Sequence, residues 1–489
     1  ASSVFNNLAS ATFDIQNDTS FGFYIGTFNN AGLVRKSAGT GTTTMQFTFN
    51  NTGTVEVQSG TLSLASGGGT SSGSFAVSAG TTLNFSGGTH NLSAASGITG
   101  AGTVIFGGAT VNHAGIYNVT GSTSVSGGTA TLSGIVTNLG SSITATGGTL
   151  NVNSGGAFTL TTLTISGGTI NFNTPEPVTT GTMTLSGGTL GGTANVTVSG
   201  LLTWSGGTMS GTGKTIANGG MTISDGYVNL KGRTIDNAGV ATWTTGAGHI
   251  GSSASSVFNN LATATFNIQN DNVFYYGTFN NAGTVRKSAG TGTTTFSGVT
   301  FNNTGTVEVK SGTLSFAGGY TQTAGATKLN GGNLAVSGTL NINGGSLSGY
   351  GTITGNVYSA GEVSPLGILN ITGNYTQTNT GVLNLKIGGL TPGTEYDQIK
   401  ITGSATPGGT LNLNWINGFM PSAGNTFEIM TFGSRSGAFA GINNKTIGNV
   451  TFSVNYLANK VALEGATDSD SDGLSDNDEI NIYGTDPFD

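Results

Sequence analysis

Cysteine is absent from this chain, so no disulfide staples it and a small cross-linked scaffold is excluded. Charge is nearly as scarce, at 7% of 489 residues, and there are only seven prolines and three tryptophans. The few charges are unevenly placed. Nine acidic and no basic residues lie from Glu464 onward, leaving 12 acidic and 14 basic before it, so a tail of −9 follows a body of +2. A near-neutral body offers no basic footprint for nucleic acid, and no apolar run is long enough to span a membrane. The sequence opens at Ala1 without a leader or an initiator methionine, and is read as a processed or trimmed chain.

Glycine is abundant, with 86 residues, and it keeps a fixed period. Gly67, Gly87, Gly107, Gly127, Gly147, Gly167, Gly187, Gly206, Gly226 and Gly246 follow one another at 20 residues, once 19, mostly doubled in phrases such as VIFGGATVN, TISGGTINF and TLSGGTLGG. Apolar residues alternate with Thr, Ser and Asn on either side. Such a period marks a stacked array, here too short for a helical hairpin. A β-sandwich suits the composition but not the glycine register. The pattern predicts an all-β, right-handed parallel β-solenoid (β-helix) of ~20-residue coils, with Val, Leu, Ile and Phe inward and Thr, Ser and Asn outward. Glycine suits the corners because it tolerates positive φ and close backbone approach. At about 4.8 Å per coil, roughly two dozen coils would make a rod on the order of 100 Å long.

Residues 1–64 are written again at 254–316 with few changes, GTFNNAGLVRKSAGTGTTT returning as GTFNNAGTVRKSAGTGTTT. The chain therefore divides into solenoid modules at 1–253 and 254–390, a β-rich cap at 391–463 and an acidic tail at 464–489. Within each copy Phe followed by two asparagines recurs at 21 to 23 residues, at Phe5, Phe28 and Phe49 and again at Phe258, Phe279 and Phe301. Stacking would align Asn6, Asn29 and Asn50 into an amide ladder that satisfies corner backbone groups. No capping segment precedes Ala1 in this sequence, so an open strand edge is expected there, covered by another molecule or by further chain.

From Gly338 the text holds GYGTITGNV, SPLGILNITGNYTQ and EYDQIKITGSATPGGTLNL. These phrases resemble the last passenger coils and capping region of bacterial autotransporter-type and related β-helix surface proteins, closely over 338–463 and in style before it. The resemblance implies a right-handed β-helix with a role in adhesion, aggregation or surface scaffolding. No membrane β-barrel follows in this sequence, so a separate secretion route is expected.

The tail reads DSDSDGLSDNDE from Asp468 to Glu479 and matches the calcium loop D-x-D-x-D-G-x5-E at every required position. Asp468, Asp470 and Asp472 would supply hard oxygen ligands, and Gly473 the sharp turn. Leu474 offers a backbone carbonyl, Asp476 a direct or water-mediated contact, and Glu479 a bidentate carboxylate. The expected cofactor is Ca2+. No helix pattern precedes the loop and NIYGTDPFD follows it, so the tail resembles thrombospondin type 3 or dockerin-like calcium repeats rather than a paired EF-hand. In those arrays GTDP leads into the next acidic loop, which implies a chain that continues past Asp489.

Polysaccharide cleavage on a β-helix needs paired carboxylates or a basic residue beside a metal. Between Gln58 and Gly213 the only charged residue is Glu176. Lys214, Asp225, Lys231, Arg233 and Asp236 read as solvated surface charges, and His90, His113 and His249 share no metal-ligand spacing. Outward Thr is mixed with Ser, Asn and Gly, which disfavours an ice-matching face. The sequence thus points to a non-enzymatic structural or adhesive solenoid. Its expected partners are further copies stacked end to end into a filament, and glycans or other cell surfaces. A polysaccharide-binding or polysaccharide-degrading β-helix is the alternative.

Overall fold

The structure, a computed structural model, describes residues 3–22 and 26–488. Ala1, the expected start of the first module, and Asp489, the last residue of the tail, lie outside them. The chain forms two compact units, Ala1–Phe258 and Asn259–Asp489. Both are parallel β-solenoids, with about 19 turns of about 20 residues between them. Among the described residues no helix is long and apolar enough to cross a membrane.

In the first unit a turn carries three short strands, as in Thr129–Leu132, Ile135–Leu139 and Ser142–Ala145. Each strand pairs in parallel with its equivalent one turn away, so Thr129 lies against Thr110 on one side and Thr149 on the other. One rank forms a seven-stranded sheet of its own, from Thr12–Ile15 to Ile135–Leu139. Period-two alternation sets the faces: in Ser142–Ala145, Ile143 and Ala145 are buried while Ser142 and Thr144 face outward. Backbone groups are spent on neighbouring turns, which suits a chain with few side-chain charges.

The doubled glycine makes one corner of the turn. At Gly188 φ is +61°, and a Cβ there would sit 2.1 Å from Gly167 O and 2.2 Å from Gly168 O. A side chain is excluded both by the left-handed backbone and by the turn beneath. That double constraint explains why the phrase survives while the residues around it vary.

The interior is a set of axial columns. Phe28 stacks between Phe5 and Phe49 with ring centroids 4.7 and 5.6 Å apart. In the second unit Phe301 lies between Phe279 and Tyr320 at 5.3 and 5.4 Å. Full burial of each such ring contributes about 1.5–3 kcal/mol.

The asparagine ladder exists, but its two members divide the work differently from the expectation. Asn6, Asn29 and Asn50 form an outer chain of amides, Asn29 Nδ2 to Asn6 Oδ1 at 2.9 Å and Asn50 Nδ2 to Asn29 Oδ1 at 3.0 Å. The residues that satisfy the corner are the next ones, Asn7, Asn30 and Asn51, all buried. Asn30 Nδ2 donates both to Asn51 Oδ1 at 2.8 Å and to the Thr54 carbonyl at 3.0 Å. Alternation explains the difference, because the second asparagine shares the inward face with Phe. Asn281 repeats the arrangement in the second unit, on Asn303 Oδ1 and the Thr306 carbonyl. Asn30→Ala is therefore expected to cost about 2–3 kcal/mol and Asn29→Ala under about 1 kcal/mol, read from hydrogen-exchange protection of the flanking turns.

The second unit lengthens its turns toward the end: Tyr375 pairs with Ala405, 30 residues on. The stack then gives way to antiparallel strands, Thr426–Thr431 and Val450–Tyr456 both pairing with Lys460–Thr467. Longer turns and this non-solenoid end use up residues, which is why the coils number about 19 rather than two dozen.

Candidate metal centre

Strand Lys460–Thr467 delivers the chain into the acidic loop, and Asp468 N bonds back to the Asn449 carbonyl at 3.0 Å. The loop folds on itself through its own carboxylates. Asp468 Oδ2 accepts from Gly473 N at 3.1 Å, Asp470 Oδ1 from Asp472 N at 3.1 Å, and Asp472 Oδ1 from Leu474 N at 2.8 Å. Gly473 supplies the left-handed turn at φ +97°. A single turn of helix, Asp476–Asp478, follows and continues as a π-turn over Glu479–Tyr483. Ser475 caps it, its Oγ accepting from Asp478 N at 3.1 Å. Lys445 Nζ reaches the Gly473 carbonyl at 2.6 Å and Ser471 Oγ the Gly448 carbonyl at 2.9 Å, so the loop is tied to the preceding strands.

One carboxylate oxygen each from Asp468, Asp470 and Asp472 lies within 4.8 Å of the others, a spacing a single metal ion can bridge. Asp468 is fully buried and Glu479 is 2% exposed. Among the described residues, Asp468 Oδ1 and Glu479 Oε2 are buried with no hydrogen-bond partner. Burial pushes the Asp468 carboxyl above its ordinary range, with Asp470 and Asp472 adding to the rise against hydrogen bonds from Gly473 and Ser471. Burial and the same two aspartates push Glu479 up. Asp476 braces the loop: its two oxygens accept from Ser469 N and Ser469 Oγ, both at 2.8 Å. Leu474 contributes the N–H bond already described.

Several other polar positions are not where the sequence suggested. Arg233 is fully buried rather than solvated. Its guanidinium donates to Thr215 Oγ1 and to the carbonyls of Gly192, Ala194, Ser210 and Lys214, at 2.8 to 3.4 Å, lashing three turns together. Lys214 and Asp236 do form a surface pair at 3.3 Å. The ammonium of Lys36 is buried on Asn17 O, Asp18 Oδ1, Ala38 O and Thr43 Oγ1 at 2.9 to 3.1 Å. Lys287 repeats the cage on Asn270 O, Asp271 Oδ1, Ala289 O and Thr294 Oγ1 at 2.7 to 3.2 Å. The signal was present in LVRK and TVRK, where alternation places Lys on the inward face with Val.

His90 and His113 are buried and apart from any acidic group. His113 takes the place of an aliphatic residue in the column Leu92–His113–Leu132, and among the described residues neither ring nitrogen has a partner. Burial pushes it down to about 4. The unfolded chain then binds a proton that the folded one refuses, so stability present above about pH 6.5 is lost as pH falls toward 4. The loss reaches about 3 kcal/mol. His113→Leu is expected to remove that acid-dependent part, seen as a flatter melting temperature between pH 7 and 4.5. His249 lies against Tyr227 at 5.0 Å between ring centroids.

No protein-family model and no curated protein matches the chain.

Proposed function

We propose that this chain is an extracellular structural and adhesive solenoid of a bacterial surface, without catalytic activity, whose acidic tail binds calcium. The observation that carries the reading is the in-register stack itself. Between residues 59 and 212 its faces are uncharged apart from Glu176, so the stack offers broad polar surfaces that approach other surfaces without strong repulsion. Carboxylates near the end of the chain are also held structurally. Asp397 accepts from Gly367 N at 2.7 Å and Lys386 N at 2.8 Å, and Glu395 accepts from Leu390 N and Thr391 N.

Calcium is favoured over softer metals because the converging groups are hard carboxylate oxygens with no histidine or cysteine among them. The two buried oxygens without partners, on Asp468 and Glu479, are the atoms a bound cation would satisfy. Self-association belongs to the same reading: strand addition by a second copy at a coil edge would continue both asparagine ladders and the Phe column.

Adsorption of the purified chain to bacterial envelopes, measured beside a turnover assay on neutral and acidic polysaccharides, tests the reading. Adsorption with no product supports it. Release of new reducing or unsaturated ends contradicts it.

A further inference from the structure

In the first unit, the corner after the strands Gly69–Ser71, Thr89–Leu92, Thr110–His113 and Thr129–Leu132 leaves a groove of about 410 Å³ running across successive turns. Thr70, Ser72, Asn91, Ser93, Asn112 and Ser133 line it, all exposed and all uncharged. Their hydroxyls and amides recur from turn to turn at about 4.8 Å, as rungs along one line. Asn112 Nδ2 donates to Asn91 Oδ1 at 2.8 Å. Among the described residues Asn91 Nδ2 and Asn112 Oδ1 have no partner, which leaves one donor and one acceptor open to the groove. Two residues beyond Ala114 and Ser133, which also line it, Ile116 and Ile135 stand in register, 44% and 63% exposed. The hydroxyl and amide rungs are thus followed, just past the corner, by two exposed isoleucines.

We propose that this groove binds a neutral oligosaccharide chain laid along the stack. The inference rests on the adhesive reading and names its ligand class. A sugar chain presents what the groove complements, a repeating edge of hydroxyls that both donate and accept, and C–H faces for the isoleucines. An acidic glycan finds no counter-charge, because Glu176 is the only charged residue between 59 and 212. An extended peptide is disfavoured as well. The strand Thr110–His113 is already paired on both edges, with Thr89–Leu92 and Thr129–Leu132, so no backbone edge is left for strand addition.

Isothermal titration of the full chain with cellohexaose, laminarihexaose and N-acetylated chitohexaose, with hexagalacturonate as the acidic comparison, tests the proposal. At least one neutral hexaose is expected to bind at millimolar concentration or below, and Ser93→Trp, which fills the groove, to weaken it by about tenfold or more. Ser141→Trp, at an exposed corner elsewhere in the unit, should leave binding unchanged. Should Ser93→Trp fail to fold, Asn112→Asp sets a charge in the groove at constant volume and should weaken binding similarly. Binding that survives a folded groove variant, preference for hexagalacturonate, or no neutral binding at all overturns the proposal. Envelope adsorption by a chain that ignores every hexaose would overturn the groove alone. Polysaccharide cleavage would instead overturn the underlying reading.

Discussion

Replacing Lys287 by methionine is expected to lower the opening free energy of the turns around Thr284–Lys287 by about 2–3 kcal/mol. The methionine fills a similar volume but strands the Ala289 carbonyl, takes the cation from Asp271, and leaves the Asn270 carbonyl and the Thr294 hydroxyl with only each other. Lys36→Met should do the same in the first unit. Lys310→Met is the surface comparison, since Lys310 is half exposed beside Glu308 at 3.5 Å, and should cost under about 0.5 kcal/mol. Native-state hydrogen exchange is the suitable readout, because a stacked array opens locally and need not melt in two states. Equal protection loss in Lys287→Met and Lys310→Met would refute the cage as a stabilising element. The cage also has a pH signature. The Lys36 hydrogen bond and the Gly41 backbone bond hold Asp18 below the usual carboxylate range, so the stability they contribute is lost as pH falls below that range.

The second large effect lies in the acidic loop. The intact chain is expected to bind calcium with Kd of roughly 0.1–1 mM, as isolated extracellular loops do. Asp468→Asn and Glu479→Gln each remove charge from a buried oxygen without a partner, and each should weaken binding by about tenfold or more. Asp486→Asn, outside the loop, should leave it unchanged. Acidification has a definite sign here. Asp468 and Glu479 hold their protons more tightly than ordinary carboxyls, so protons compete with the ion and affinity falls as pH drops. The metal-free loop behaves oppositely, gaining stability as the crowded carboxyls take up protons. Calorimetric calcium titration at pH 7 and pH 5, beside melting of the metal-free chain, separates these outcomes, and an affinity that does not change with pH would contradict the proposed ligands.

The stacked architecture was legible because it rests on two simple periods. Gly147, Gly167 and Gly187 mark the turn length, and the alternation in phrases such as Ser142–Ala145 marks the faces. Both express backbone geometry, which repeats from coil to coil. What the text hid were departures from the pattern that a three-dimensional corner absorbs. Arg233 looks like a surface charge beside Lys231 and Asp236, yet the corner it enters offers four carbonyls from the two preceding turns, residues up to 41 positions away in sequence. His113 looks like an isolated polar residue, yet it shares the inward parity of Val111 and enters a column of leucines. The choice between Asn29 and Asn30 needed strand parity, which Phe28 already supplied. In the acidic loop, residue types and spacing pointed to Asp468, Asp470 and Asp472, whose carboxylates the fold brings together, whereas the attachment of Asp476 to Ser469 depends on how the loop closes.

We propose a self-stacking structural solenoid whose acidic tail binds calcium at the joint between copies. Negative-stain electron microscopy of the purified chain, with millimolar calcium and then with chelator, tests it most directly. Filaments are expected in calcium, shortening or dispersing on chelation. Single particles of one size in both conditions would contradict it.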